Sequence, residues 1–246
     1  MTGVPSSAID RYGFLADAES RRMRGRRILR ALEDFGGVNL STANVLDVGC
    51  SAGLITDEIA MTVGFAIGVD ADFDSIKRGA SRDNGAHFVV ASGEALPFRN
   101  ERFDAVVCNH VYEHVSDAAR MMREIHRVLR SGGACYFAGG HTLQLVEPHH
   151  RLPMLSWLPR SVASRWLRSR GRADAYTEQF VAPWRLRSLL TPFDDVRFIS
   201  TQMLRDPKRF EFRQFAGWPS SARRIALTAG LLPRLAPTWI YMLRKR

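Results

Sequence analysis

The sequence predicts an α/β fold, a doubly wound and mostly parallel sheet with helices on both faces. Three observations carry this. Short apolar runs alternate with segments of helical periodicity, the pattern of strands buried by crossover helices. The runs are nearly continuous in Val, Ile, Ala and Leu, as strands covered on both faces require. Glycines and carboxylates stand directly after the runs, where such sheets bind ligands.

Taken in order, residues 17–35 read as an amphipathic helix, with Met23, Ile28, Leu32 and Phe35 at helical spacing. Residues 44–48, 65–69, 87–91, 103–108 and 134–138 read as strands. Residues 53–63, 73–83 and 116–130 read as the helices between them. The last helix is expected to open on Ser116 as its N-cap and to stop at Gly132-Gly133. After residue 139 the rhythm changes. Residues 140–176 hold no clear strand, 183–190 look helical, and 196–201 and 238–243 look like two closing strands. One domain over 1–246 is expected. It comprises a helical cap (1–40), a ligand-binding core (41–139) and two insertions on the substrate side (140–182 and 203–235).

The formal net charge is +10, unevenly spread: residues 140–246 hold 19 Lys and Arg against 7 Asp and Glu, while residues 45–139 hold 9 against 13. A basic half suits a phosphate-bearing partner or an anionic membrane, and it equally suits a solvated arginine face. Cys50, Cys108 and Cys135 form no C-x-x-C pair, which excludes a disulfide framework or zinc site, so no metal is expected and a reducing cytoplasm fits. The first residues lack the pattern of a secretory leader, and no apolar run reaches the roughly 20 residues of a spanning helix.

The strongest local signal is Val45-Leu46-Asp47-Val48-Gly49-Cys50-Ser51-Ala52-Gly53, a strand running through a glycine turn into a helix. Glycine lets backbone approach a ligand, and the helix start offers N–H groups. The G-x-G-x-x-G spacing of a pyrophosphate turn is absent. Asp47 beside the turn suits a cationic ligand instead. Asp70 ends the second strand about twenty positions on, where a carboxylate accepts hydrogen bonds from both hydroxyls of a ribose. Each piece has a plainer alternative: Gly49 and Gly53 as packing glycines, Asp70 as a helix N-cap, Leu96-Pro97-Phe98 as a turn with a core anchor, and the cysteines as small buried residues.

In combination these segments resemble the class I, Rossmann-like S-adenosylmethionine-dependent methyltransferases over about residues 40–140. The family's (D/E)-x-G-x-G-x-G is met by Asp47 through Gly53, with Ser51 in place of the middle glycine. Its D-A-x-x-L-P-F is met by Ser92-Gly93-Glu94-Ala95-Leu96-Pro97-Phe98, with Ser92 where an acid is usual and Glu94 as the substitute acceptor. Asn109-His110-Val111-Tyr112-Glu113-His114-Val115 is similar to x-x-V-x-E-H-V. Arg123 to Gly133 is similar to R-E-x-x-R-V-L-x-P-G-G, with Ser131 for Pro. The resemblance implies a seven-stranded sheet with an antiparallel closing strand and S-adenosyl-L-methionine as cofactor. It places cofactor contacts at Asp47, Gly49, Cys50, Gly53, Asp70, Ala71, Gly93, Glu94, Ala95, Asn109 and His110.

Methyl transfer needs alignment and a dry pocket, and a hydroxyl acceptor also calls for a general base. His141 and His149 are the favoured substrate-side groups and His114 their rival, with Glu147 and His150 nearby. Asn109-His110-Val111-Tyr112 is not the (D/N)-P-P-(Y/F) of enzymes that methylate bases, which disfavours a nucleic-acid acceptor. A small-molecule, sugar or lipid-linked acceptor is expected. An RNA or protein acceptor and a non-catalytic binding module are the competing readings. Residues 161–170 and 220–232 read as basic amphipathic segments that suit either peripheral contact with an anionic membrane or a lid over the pocket.

Overall fold

Strand β1 (Asn44–Val48) lies in the interior of the sheet, and its alternation sets both faces. Leu46 and Val48 point into one core and Val45 into the other. Around it the chain alternates as expected: α2 (Leu54–Ala60), β2 (Phe65–Asp70), α3 (Phe73–Ala80), β3 (His87–Val90), β4 (Phe103–Asn109), α4 (Ala118–Val128) and β5 (Leu129–Gly139). A computed structural model describes residues 8–147, 149–150, 152–212, 217–228 and 238–246.

The sheet has seven strands in the order β3-β2-β1-β4-β5-β7-β6. Pairing is parallel from β3 to β5. Strand β7 (Trp239–Arg244) enters antiparallel between β5 and β6 (Asp195–Phe198). The order reverses between β1 and β4, so the crevice at the carboxyl ends of these two strands is the topological switch point. Helix α1 (Ala8–Asp34) packs Ile28, Leu29 and Leu32 onto one face with α2 and with α7 (Ser200–Arg205). Helices α4 and α6 (Pro183–Leu189) cover the other with Met121, Met122, Ile125 and Leu186.

Several expectations are corrected. Helix α1 begins well before residue 17. The N-cap of α4 is Asp117, whose carboxylate accepts from Arg120 N–H at 2.8 Å, while Ser116 donates its hydroxyl to Glu94. Gly132-Gly133 does not stop that helix. The helix ends at Val128 and both glycines lie in β5, where the register against β4 shifts and a Cβ on Gly133 would come within 3.0 Å of the Asp104 carbonyl. The strand expected over 196–201 ends at Phe198, because Ser200 Oγ accepts the Ile240 N–H at 2.8 Å and the chain turns into α7.

Helix α5 (Arg160–Ser169) does turn an apolar side inward. Ala163 and Leu167 are buried with Leu152, Leu155 and Tyr176 in a satellite core, whereas Val162 faces solvent. Helix α8 (Ser220–Thr228) forms part of the second basic segment; Leu231 and Leu232 lie outside the described residues.

Candidate active site

The glycine turn after β1 is shaped by its backbone. Gly49 and Gly53 hold φ of +71° and +76°, and Ser51, in place of the middle glycine, also adopts a positive φ of 51°. A Cβ on Gly49 would come within 2.5 Å of Val111, and one on Gly53 within 2.2 Å of the Phe88 ring. The plainer reading of these glycines therefore holds: their missing Cβ lets the Val111 and Phe88 side chains close on the turn. Gly53 is the residue before α2, whose amides begin there.

Asp47 is buried and accepts the Thr56 hydroxyl at 2.7 Å. Burial pushes its carboxyl up to about 7, against the help of Thr56 and with Asp70 adding repulsion. A cationic ligand would supply opposing charge at this point. Asp70 does not cap α3; Asp72 does, accepting from Asp74 N–H. Asp70 instead braces the turn, its Oδ2 accepting Ser51 N–H at 2.7 Å and its Oδ1 accepting Asp72 N–H at 2.9 Å.

These groups open into a cavity of about 1280 Å³ at the switch point. Ligand pockets run to roughly 300–1,000 Å³, so this one has room for a donor and an acceptor together. Of the sequence-predicted cofactor residues, Asp47, Gly49, Cys50, Asp70, Ala71, Gly93, Asn109 and His110 line it. Gly53, Glu94 and Ala95 do not. Glu94 is engaged elsewhere: its carboxylate takes the Asp117 N–H at 2.8 Å and the Ser116 hydroxyl at 2.9 Å, which anchors the residues leading into α4 and holds its pKa below the usual range. The wall expected from Glu94 and Ala95 is made by Ala91, Ser92 and Gly93. Cys50 lies at the wall with its thiol pKa raised by burial, so it is no nucleophile at neutral pH. Cys108 and Cys135 are buried strand residues.

The cavity wall also carries a histidine cluster organised by Glu113, a carboxylate with no exposure. Its Oε1 lies 2.9 Å from His110 Nδ1 and 3.4 Å from His149 Nε2. Burial pushes the Glu113 carboxyl upward, but hydrogen bonds from the two rings prevail and hold it down at about 2. His110 is fixed on its other side by Thr238 Oγ1 at 2.9 Å. His149 is raised above the ordinary histidine value: burial lowers it, while Glu113, Glu147 and Glu178 outweigh burial. His114 packs its ring edge-on against His149 with centroids 4.9 Å apart, and burial lowers its pKa. Both His114 and His149 line the cavity.

His141 is placed differently. It is buried against Trp239, ring centroids 4.1 Å apart, and is not part of the cavity wall. His150 pairs with Glu178 at 3.2 Å.

Several wall residues escaped sequence reading. Arg21, Arg24 and Arg27 bring α1 over the cavity. Arg27 donates to the Phe210 and Glu211 carbonyls and lies 4.0 Å over the Phe212 ring, tying α1 to the segment after α7. Glu113 stood in a motif but carried no assigned role; a carboxylate flanked by histidines was the available signal. His110, Glu113 and His149 also place one ligand atom each within 4.8 Å of one another, close enough to share a divalent cation.

Fold and cavity together define an α/β protein with a ligand-sized crevice at its topological switch point. Residues 46–137 match the family model described as methyltransferase domain. It is 28% identical over 157 residues to a malonyl-[acyl-carrier protein] O-methyltransferase of Pseudescherichia vulneris, covering 62% of this chain and 60% of the relative. It is 29% identical over 231 residues to a ubiquinone biosynthesis O-methyltransferase of Ruegeria pomeroyi, covering 89% of this chain and 84% of the relative. Other curated relatives are matched over about half their length. Among solved structures, geranyl diphosphate methyltransferase in complex with SAM superposes with a TM-score of 0.55 at 16% identity, covering 98% of this chain and 91% of that one, which is a likeness of fold.

Proposed function

We propose that the chain binds S-adenosylmethionine and transfers its methyl group to a hydroxyl of a small-molecule or lipid-linked acceptor, with His149 as general base. The observation that carries this is the 3.4 Å contact between His149 and the buried Glu113, inside a cavity with room for two ligands. The relatives named above as O-methyltransferases support an oxygen acceptor.

The residues present fit the cofactor. Asp47 is a buried carboxylate held near neutrality for want of opposing charge, and the donor carries an ammonium and a sulfonium. Asp70 keeps lone pairs for a ribose beyond the two amides it accepts. Ala91, Ser92 and Gly93 form a small-residue wall suited to a flat base. Bound there, S-adenosylmethionine supplies a methyl on a leaving group that needs no acid.

The chain's own work is then alignment and proton removal. His149 Nε2–H donates to Glu113, which leaves Nδ1 unprotonated to take the acceptor proton. Glu113 fixes that tautomer and stabilises the imidazolium that forms. His110, clamped between Glu113 and Thr238, keeps the carboxylate in place. Helix α1 and the Arg27–Phe212 contact roof the cavity and limit water. A position on the inner face of a membrane suits a lipid-linked acceptor. Among the described residues no helix is long and apolar enough to cross a membrane.

The test is transfer of labelled methyl from S-adenosylmethionine into a cell extract separated into lipid, sugar, RNA and protein. Label is expected in the lipid or sugar fraction. Label in RNA or protein overturns the acceptor class, and donor binding without any labelled product makes the chain a binding module.

A further inference from the structure

We propose that the tip formed by residues 142–147 and 152–158, with the first turn of α5, docks on an anionic lipid surface and sets the mouth of the cavity against it. Six large apolar side chains are exposed there: Leu143, Leu145, Val146, Met154, Trp157 and Val162, with Leu143 at 50% and Trp157 at 48%. Scattered apolar residues on a surface need no explanation, but a contiguous group does.

Contiguity is built in by the backbone. Val146 pairs with Pro153 in an antiparallel bridge. Met154 N–H donates to the Leu145 carbonyl at 2.7 Å, and Trp157 Nε1 donates to the Gln144 carbonyl at 3.0 Å. These bonds link the two sides of the segment and satisfy part of its polar groups, which eases entry into a low-dielectric interface. The satellite core of Leu152, Leu155, Ala163 and Leu167 supports the segment from behind. The apolar side of α5 is therefore scaffold, and the inserting face is the tip in front of it.

Charge selects the occupant. Arg160, Arg165, Arg168, Arg170 and Arg172 are exposed beside the tip. Of the acids in residues 140–182, Glu147 and Glu178 are buried and Asp174 is exposed. Apolar residues ringed by arginine match an interface of anionic headgroups over acyl chains, and tryptophan favours that depth. A second copy of this chain fits less well, because a two-fold contact would set the arginines against each other. Val146 belongs to the tip and also to the cavity wall, beside Glu147 and His149, so docking would present the acceptor end of the cavity to the bilayer.

Under the methyl-transfer reading this gives a lipid-linked acceptor its route in. Docking itself is measured without donor or acceptor, so either reading can fail alone. The full chain is sedimented with phosphatidylcholine vesicles with and without phosphatidylglycerol. Sedimentation with the anionic vesicles and its weakening by salt are expected. Both Leu143→Ser with Trp157→Ser and Arg165→Glu with Arg168→Glu should weaken partitioning by about tenfold or more. Both pairs should keep the wild-type circular dichroism spectrum and donor affinity. A wild-type protein that stays in the supernatant, or variants that sediment unchanged, overturn the proposal. So does light scattering that shows a wild-type dimer which the Leu143/Trp157 variant dissociates. If the variants misfold, a blue-shifted tryptophan emission of the wild type on anionic vesicles supports docking, and an unshifted emission overturns it.

Discussion

Glu113 and His149 meet across 36 residues of chain, the carboxylate Oε1 lying 3.4 Å from the imidazole Nε2 with Glu113 fully buried. The pair ties the segment after β4 to the insertion after β5. It also holds the imidazole above its ordinary pKa, burial being outweighed by Glu113, Glu147 and Glu178. A raised pKa means that the ring is protonated, and useless as a base, at pH values where an ordinary histidine is already neutral. Turnover is therefore expected to fall as pH drops through a value above about 6.5. A pH–rate profile of kcat that stays flat across that limb removes His149 as the base.

Replacing Glu113 by Gln removes the charge and keeps the shape. With its hydrogen bond to the carboxylate gone and burial remaining, the His149 pKa falls. The acid limb of the profile should move to lower pH while kcat drops by about 10–100-fold, since the ring loses its tautomer and orientation. Stability carries its own sign. Glu113 is depressed to about 2 from the ordinary carboxyl value of 4.5. Its contribution is present above that unfolded value and is lost as pH falls toward 2. Acid unfolding of the wild type should thus extend into that window, and that of Glu113→Gln should not. A mere structural part for Glu113 would lower stability without moving the kinetic limb.

The same three groups could hold a cation, and the base mechanism uses them as a hydrogen-bonded set instead. Exhaustive chelation should then leave kcat within about twofold, the scatter of a non-essential metal. Loss on chelation with recovery on adding one divalent metal would replace the base by a metal centre.

What the sequence revealed followed local rules. Strand β1, the turn at Gly49 and Asp70 at the end of β2 are each written in a few consecutive residues, and all stand where periodicity and glycine placed them. What stayed hidden depended on distant partners. Ser116 yields its cap to Asp117 because Glu94, 22 residues earlier, draws its hydroxyl away. That same contact removes Glu94 from the cavity. His141 and His149 look alike as histidines after β5; only tertiary packing sends one against Trp239 and the other to Glu113. The arginines of α1 reach the cavity through a helix packing that periodicity does not orient.

His141, read from sequence as a catalytic group, now gives a contrasting prediction. It is buried beside Trp239 outside the cavity wall, so His141→Gln should cost stability, about 1–3 kcal/mol for a disturbed buried polar group. It should leave kcat within about twofold in the folded fraction. Thermal unfolding and turnover measured on one preparation decide it: a large loss of kcat at unchanged stability would return His141 to the mechanism.

Asp47 trades stability for binding. Its folded pKa of about 7 lies above the ordinary aspartate value of 3.8, with burial the largest cause. Between those values the folded state keeps a proton that the unfolded chain releases, so folding is penalised progressively as pH rises toward 7 and fully above it. Asp47→Asn should raise the stability of the ligand-free protein near about pH 8 by about 1–3 kcal/mol, with the gap closing toward about pH 4. The variant should bind the cationic donor at least about tenfold more weakly, because the buried opposing charge is gone. The wild type should bind the donor more tightly as pH rises through 7, where Asp47 ionises. Calorimetric titration on both sides of that pH separates the cases. Equal donor affinity for wild type and variant would show that Asp47 serves Thr56 and α2 alone, and the cavity would then need another counter-charge for a sulfonium.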